Sequence, residues 1–191
     1  MRPLLLLLAA CGPTRSAEPL DTAPPAVGQA PIDTGEPIPP DTPLGVCINE
    51  LMPSNQAALH VADGETPDWL ELHNPTAREV SLEGWVLTDT PGGPLDGAHR
   101  LDHDIAAGGF LLLFADGQDG GAHLPFRLNA DGGALGLYTP DGRGQVVTFG
   151  QVEGDYAIAR QTDCCDGPDC LRFQFRGTPG YSNSQAVDAE R

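Results

Sequence analysis

Between Val46 and Asn183 the apolar residues come in short runs, each cut off by Gly, Pro, Asn or Asp after roughly eight to twelve residues. Turn signals at that spacing leave no stretch for a helix with a sustained 3.6-residue period. The chain is therefore expected to be all-β, with strands at Val46 to Met52, Trp69 to His73, Glu79 to Leu82, Trp85 to Thr88, Phe110 to Ala115, Ala134 to Tyr138, Val146 to Phe149, Tyr156 to Arg160 and Leu171 to Phe175. Asn74-Pro75, Pro91-Gly92-Gly93-Pro94, Asp131-Gly132-Gly133 and Asp141-Gly142 supply the positive or fixed φ values that turns between them require. Strands this short bury enough apolar surface only when two sheets pack face to face, so the expected architecture is a β-sandwich.

The first residues have a different character. Arg2, five leucines from Leu4 to Leu8 and the small pair Ala9-Ala10 precede Cys11. That is a charged segment, an apolar segment and a small-residue cleavage site. The apolar run is far short of the about 20 residues that cross a bilayer core. The pattern resembles the bacterial lipobox, which implies a signal peptide over residues 1–10 and a mature chain beginning at lipid-modified Cys11, its acyl chains including palmitate. Gly12 stands where an aspartate would resemble an inner-membrane retention signal, so the outer membrane is the expected location.

Residues 11–45 hold prolines at 13, 19, 24, 25, 31, 37, 39, 40 and 43, and the pair Asp-Thr recurs at Asp21-Thr22, Asp33-Thr34 and Asp41-Thr42. Such a stretch has too little apolar surface to offset chain entropy and is expected to be a disordered spacer. A domain over 46–185 and a tail over 186–191 follow. The formal net charge is −17, and the ten basic residues are all arginine. That balance repels phosphate backbones, so nucleic acid is excluded as a partner. It also repels an anionic lipid surface, leaving the anchor on Cys11 as the contact with the membrane.

Four segments in order resemble the signatures of the lamin tail domain: Ile48-Asn49-Glu50-Leu51; Asp68-Trp69-Leu70-Glu71-Leu72-His73-Asn74-Pro75; Leu82-Glu83-Gly84-Trp85-Val86-Leu87-Thr88-Asp89; and Thr178-Pro179-Gly180-Tyr181-Ser182-Asn183. Ala106-Ala107-Gly108-Gly109-Phe110-Leu111-Leu112-Leu113 and Gly136-Leu137-Tyr138-Thr139-Pro140-Asp141-Gly142 are similar to further parts of the same family. The resemblance implies an immunoglobulin-like β-sandwich. His73 stands where the family usually has an aromatic, a departure that marks an altered surface.

Alternation along Trp69-Leu70-Glu71-Leu72 puts Trp69 and Glu71 on one face and the leucines on the other, so one face is expected in the core and the other partly wet. Glu50, Asp68 and Glu71 are then hydrogen-bonded supports of turns and edges. Thr178-Pro179-Gly180 reads as a closing turn, with Asn183 bonding local backbone. No nucleophile elbow, zinc-protease helix or phosphate-cradling glycine loop occurs, and no enzyme is expected. His99 and His103, flanked by Asp102 and Asp104, could present two imidazoles on one strand face, but read as a solvated polar loop. His60, His73 and His123 are scattered.

With Cys11 set aside, Cys47, Cys164, Cys165 and Cys170 form an even set in an exported chain, which predicts two disulfides. A bond between the adjacent Cys164 and Cys165 is strained, so Cys47 joins one of them and the other closes to Cys170. The sequence leaves both connectivities open. A Cys₄ zinc site is the alternative, though Cys47 lacks the neighbouring ligand such sites use. Asp163, Asp166 and Asp169 invite calcium in the same loop, without matching an EF-hand; no cofactor is required. The expected function is a non-enzymatic, lipid-anchored envelope protein whose sandwich binds, adheres to or scaffolds an unknown protein or polysaccharide. An accessory subunit or inhibitor of a secreted enzyme, or a calcium-dependent glycan-binding module, is the alternative.

Overall fold

A computed structural model of the protein describes residues 44–93, 98–167 and 169–188. The expected signal peptide, Cys11 and nearly all of the expected spacer lie outside the described residues. Eleven strands follow in order: β1 (Cys47–Met52), β2 (Trp69–His73), β3 (Val80–Ser81), β4 (Val86–Thr88), β5 (His99–Arg100), β6 (Asp104–Ile105), β7 (Phe110–Phe114), β8 (Gly133–Tyr138), β9 (Gly144–Phe149), β10 (Tyr156–Arg160) and β11 (Leu171–Phe175). A 3₁₀ helix, Asn183–Asp188, runs past the expected domain end at 185. Every sheet is antiparallel: a five-stranded sheet in the order β11-β10-β1-β2-β7, a four-stranded sheet β5-β4-β8-β9, and the small pair β3-β6.

The two larger sheets face each other over one core. Ile48, Leu51, Leu70, Leu72, Leu113 and Ile158 point in from the five-stranded sheet, and Leu87, Leu135, Leu137 and Val147 from the four-stranded one. The alternation of β2 places Leu70 and Leu72 there, as the sequence predicts. Trp85 enters the same core from Gly84, whose φ of 76° makes the turn that swings the indole inward. The core also reaches back to Leu44, two residues into the expected spacer.

Asn74 closes the turn after β2 with both ends of its amide. Its Nδ2 donates to the carbonyls of Arg78, Ile105 and Ala106, and its Oδ1 accepts from Thr76 N and Oγ1. The stretch expected as a polar loop around His99 and His103 instead forms β5 and β6. Each has only two residues and flanking aspartates, too short for alternation to register in the sequence.

Candidate functional site

On β1, Ile48 and Leu51 both enter the core although they are three residues apart. A bulge explains it: Ile48 pairs with Leu72 and Glu50 with Glu71, leaving Asn49 as the extra residue. The bulge turns Glu50 to the outer face of the sheet, directly opposite Glu71. Two carboxyl groups therefore meet side by side on a sheet face rather than alternating away from each other.

That face is not wet. Trp69 and Glu71 are 0% exposed and Glu50 1%, because the chain after β11 folds back across them. Thr178 N donates to Glu50 Oε1 (3.2 Å) and Oε2 (3.0 Å), and Gly180 N donates to Glu71 Oε2. Asn49 Nδ2 reaches Glu71 Oε1 at 3.4 Å and Asp163 Oδ1 at 3.1 Å, while Asn49 Oδ1 accepts from Cys164 N. Asn183 donates its Nδ2 to the Asn49 carbonyl and its N–H to Asp163 Oδ1. It was expected to bond local backbone; it instead ties the end of the domain to the bulge in β1. Pro179 and Gly180, with φ 83° at the glycine and Tyr181 N bonded to Thr178 O, shape the turn that delivers these donors.

Burial dominates the electrostatics of the carboxyl pair. Removing Glu50 from water pushes its carboxyl up to about 7, against the opposing bonds from Thr178 and the field of Arg172. Removing Glu71 from water pushes it up to about 8, and the neighbouring Glu50 and Asp163 charges push the same way. Burial also opposes ionisation of Asp163, but bonds from Ser182, Asn183 and Asn49 outweigh it and hold that carboxyl below its ordinary value. Glu50 and Glu71 thus support the closing segment by hydrogen bonds, as the sequence reading has it. The available signal for their burial was the placement of two acidic residues inside strands that are apolar on both sides.

The remaining sequence candidates fall apart in space. His99 is buried on β5 with Nδ1 3.2 Å from Asp119 Oδ1, and His103 lies beyond the strand with Nδ1 3.2 Å from Asp102 Oδ1, so the two imidazoles share no strand face. His73 is no surface residue: it is buried, stacked on Phe110 with ring centroids 4.2 Å apart, and its Nδ1 lies 2.9 Å from Gly109 O. An imidazole satisfies the flat, buried position an aromatic ring would take. His123 and Asp116, 2.6 Å apart, form a pair that no spacing motif in the sequence announces.

Cys47 is bonded to Cys164 and Cys165 to Cys170, which resolves the connectivity and occupies the four sulfurs a zinc site would need. Asp163 faces inward on Asn49 and Asn183, whereas Asp166 and Asp169 are exposed; the three do not converge. Among the described residues no three His, Cys, Asp or Glu side chains gather as metal ligands. A groove of about 850 Å³ opens beside the Cys47–Cys164 bond, lined by Val46, Pro75, Arg143, Gln145 and Val146. Its arginine is already held by Asp141 at 3.0 Å.

The solvent-facing apolar groups concentrate near the end of the domain. Phe173 is 63% and Phe175 53% exposed, both on the core-facing side of β11, where the register sets Phe173 opposite Ile158 and Phe175 opposite Tyr156. The four-stranded sheet does not extend over them. Tyr156 packs tilted against Phe175 with ring centroids 5.2 Å apart, and the Arg176 guanidinium lies 5.5 Å over the same ring. β11 is an edge strand: Arg172 and Gln174 bond inward to β10, so the backbone groups of Leu171, Phe173 and Phe175 point off the sheet.

Compared with known protein families, residues 39–153 match the model of the Lamin Tail Domain, more than half of the chain. No curated protein matches the chain significantly.

Proposed function

The chain belongs to the lamin tail domain family, a non-catalytic binding and scaffolding module, and on that premise we propose that it is a lipid-anchored protein of the cell envelope that holds a protein partner at the edge of its sandwich. The observation that carries the reading is the β11 edge. Two exposed rings, Phe173 and Phe175, flank backbone groups without a strand partner. Scattered apolar surface residues are ordinary, but paired rings on an open edge offer both apolar contact and main-chain hydrogen bonds to an added strand. A polysaccharide could use the rings but not the edge, which favours a protein.

The anchor rests on Leu8-Ala9-Ala10-Cys11, and the proline-rich segment after it reads as the spacer that sets the domain away from the lipid. Two disulfides suit an oxidising compartment outside the cytoplasm. Three acyl chains on Cys11 would exceed the marginal hold of one, at about 0.8 kcal/mol for each buried CH₂.

Fractionation and affinity capture test both halves. Cys11→Ser should lose labelled palmitate and leave the membrane fraction; equal label in wild type and variant would overturn the anchor. Capture from detergent-solubilised envelopes should retain a stoichiometric protein with the wild type and lose it with Phe173→Ser/Phe175→Ser. Equal retention by the double variant would show that the edge is not the contact surface.

A further inference from the structure

We propose that the segment Arg176–Asn183 is a proton-linked latch: it closes over the outer face of the five-stranded sheet when the facing carboxyl groups of Glu50 and Glu71 hold a proton, and it is released when that proton is lost. This goes beyond the binding function and does not depend on it.

The hydrogen-bond inventory has a place for the proton. Asn183 Nδ2 donates to the Asn49 carbonyl at 3.2 Å, which fixes the amide so that its Oδ1 faces Thr178. Thr178 Oγ1 lies 2.8 Å from that Oδ1 and has one hydrogen, which therefore goes to Asn183. The same Oγ1 lies 3.2 Å from Glu50 Oε2. One hydroxyl hydrogen serves two acceptors poorly, and a proton on Glu50 gives the second contact a hydrogen of its own. Gln174 Nε2 at 3.3 Å occupies one lone pair of the hydroxyl, leaving the other for Glu50.

The charges around the pair point the same way. Glu50 and Glu71 are direct cross-strand neighbours without solvent exposure, and among the described residues neither forms an ion pair. β11 contributes Arg172, which donates to Gln174 Oε1 and the Asn183 carbonyl and only weakly offsets the burial of Glu50. Asp163, from the loop after β10, adds negative charge, with His73 of β2 near it. β10 contributes Ala157 and Ala159, and β7 contributes Leu112, all uncharged. The latch itself carries Arg176 and Tyr181, both exposed. Two like charges side by side in a dry site do not both ionise, so the pair shares a proton near neutrality.

The direction of the pH effect follows. Both carboxyls titrate higher when covered than the ordinary 4.5, so the closed form binds more protons than the open form between about 4.5 and about 8. Closure is fully stable below that window and is lost as pH rises through it, about tenfold in the closing constant per pH unit for each linked proton. Opening delivers the proton to solvent and hydrates both carboxylates.

Hydrogen exchange on the full chain tests this, with rates corrected for intrinsic base catalysis. Protection at Thr178, Gly180 and Asn183 should fall at least tenfold between pH 6 and 8.5, while β8 is unchanged. Glu50→Gln/Glu71→Gln, which keeps the shape but removes both ionisations, should shrink the fall to under threefold. pH-independent protection in the wild type, or an equal fall in the variant, would overturn the latch. Should the double variant fail to fold, ¹³C-carboxyl titration of the wild type decides: midpoints above 6 for Glu50 or Glu71 uphold it, and ordinary midpoints near 4.5 overturn it.

Discussion

Gly177 shows how closely the closing segment sits on the sheet. Its φ is 64°, and a Cβ there would stand 2.8 Å from Glu50 Oε1 and 2.9 Å from the Trp69 ring. Neither neighbour can withdraw, since both are buried under the same segment. Gly180 also has positive φ, 83°, but a Cβ would meet nothing within 4 Å. Gly180→Ala is expected to cost about 1 kcal/mol for the backbone alone, and Gly177→Ala about 2–4 kcal/mol, because overpacking adds to it. Urea denaturation of the two variants checks the order; equal losses would mean that the contact with Glu50 and Trp69 carries no energy. Asn49 belongs to the same scale: as the extra residue of a bulge it binds Glu71, Asp163 and the Cys164 amide at once. The sequence displays it as a polar neighbour of Glu50 in an otherwise apolar strand, with nothing local to mark these three partners.

At the scale of elements, β1 is the hinge of the construction. It lies between β10 and β2, and the Cys47–Cys164 bond joins its first residue to the loop after β10, 117 residues away. Arg160 strengthens that junction from β10, its Nε donating to the Ile48 carbonyl at 2.7 Å and its Nη1 to the Cys165 carbonyl. By the loop-entropy relation the long bond should contribute on the order of 4–5 kcal/mol and a five-residue loop about 2 kcal/mol. Cys47→Ala/Cys164→Ala should therefore lower the denaturation midpoint more than Cys165→Ala/Cys170→Ala, measured under oxidising conditions. A larger loss from the short loop would mean that local geometry around Cys165, not closure of the long loop, governs stability. β5 and β6 illustrate the opposite case, since two-residue strands draw their pairing from β4 and β3 and carry no pattern of their own.

For the molecule as a whole, the family match ends at residue 153, yet the five-stranded sheet is complete only with β10 and β11, which follow it. The latch after β11 then covers Trp69 and the carboxyl pair. The described core begins at Leu44, so a chain shortened to start there is expected to unfold at the same midpoint as the full chain, by calorimetry at neutral pH. A clear drop would show that the proline-rich segment contributes to the fold rather than serving as a spacer. The sequence by itself determined the strand class, nearly every long strand, the turns and the even cysteine set, because alternation, glycine and proline geometry and cysteine count act over a few residues. Only the tertiary structure decided that Cys47 meets Cys164, that both faces of β2 are dry, and that Thr178, Gly180 and Asn183 close over Glu50 and Glu71. Those contacts join residues more than 100 positions apart, where no local preference operates and the match of buried donors to buried acceptors selects the partner.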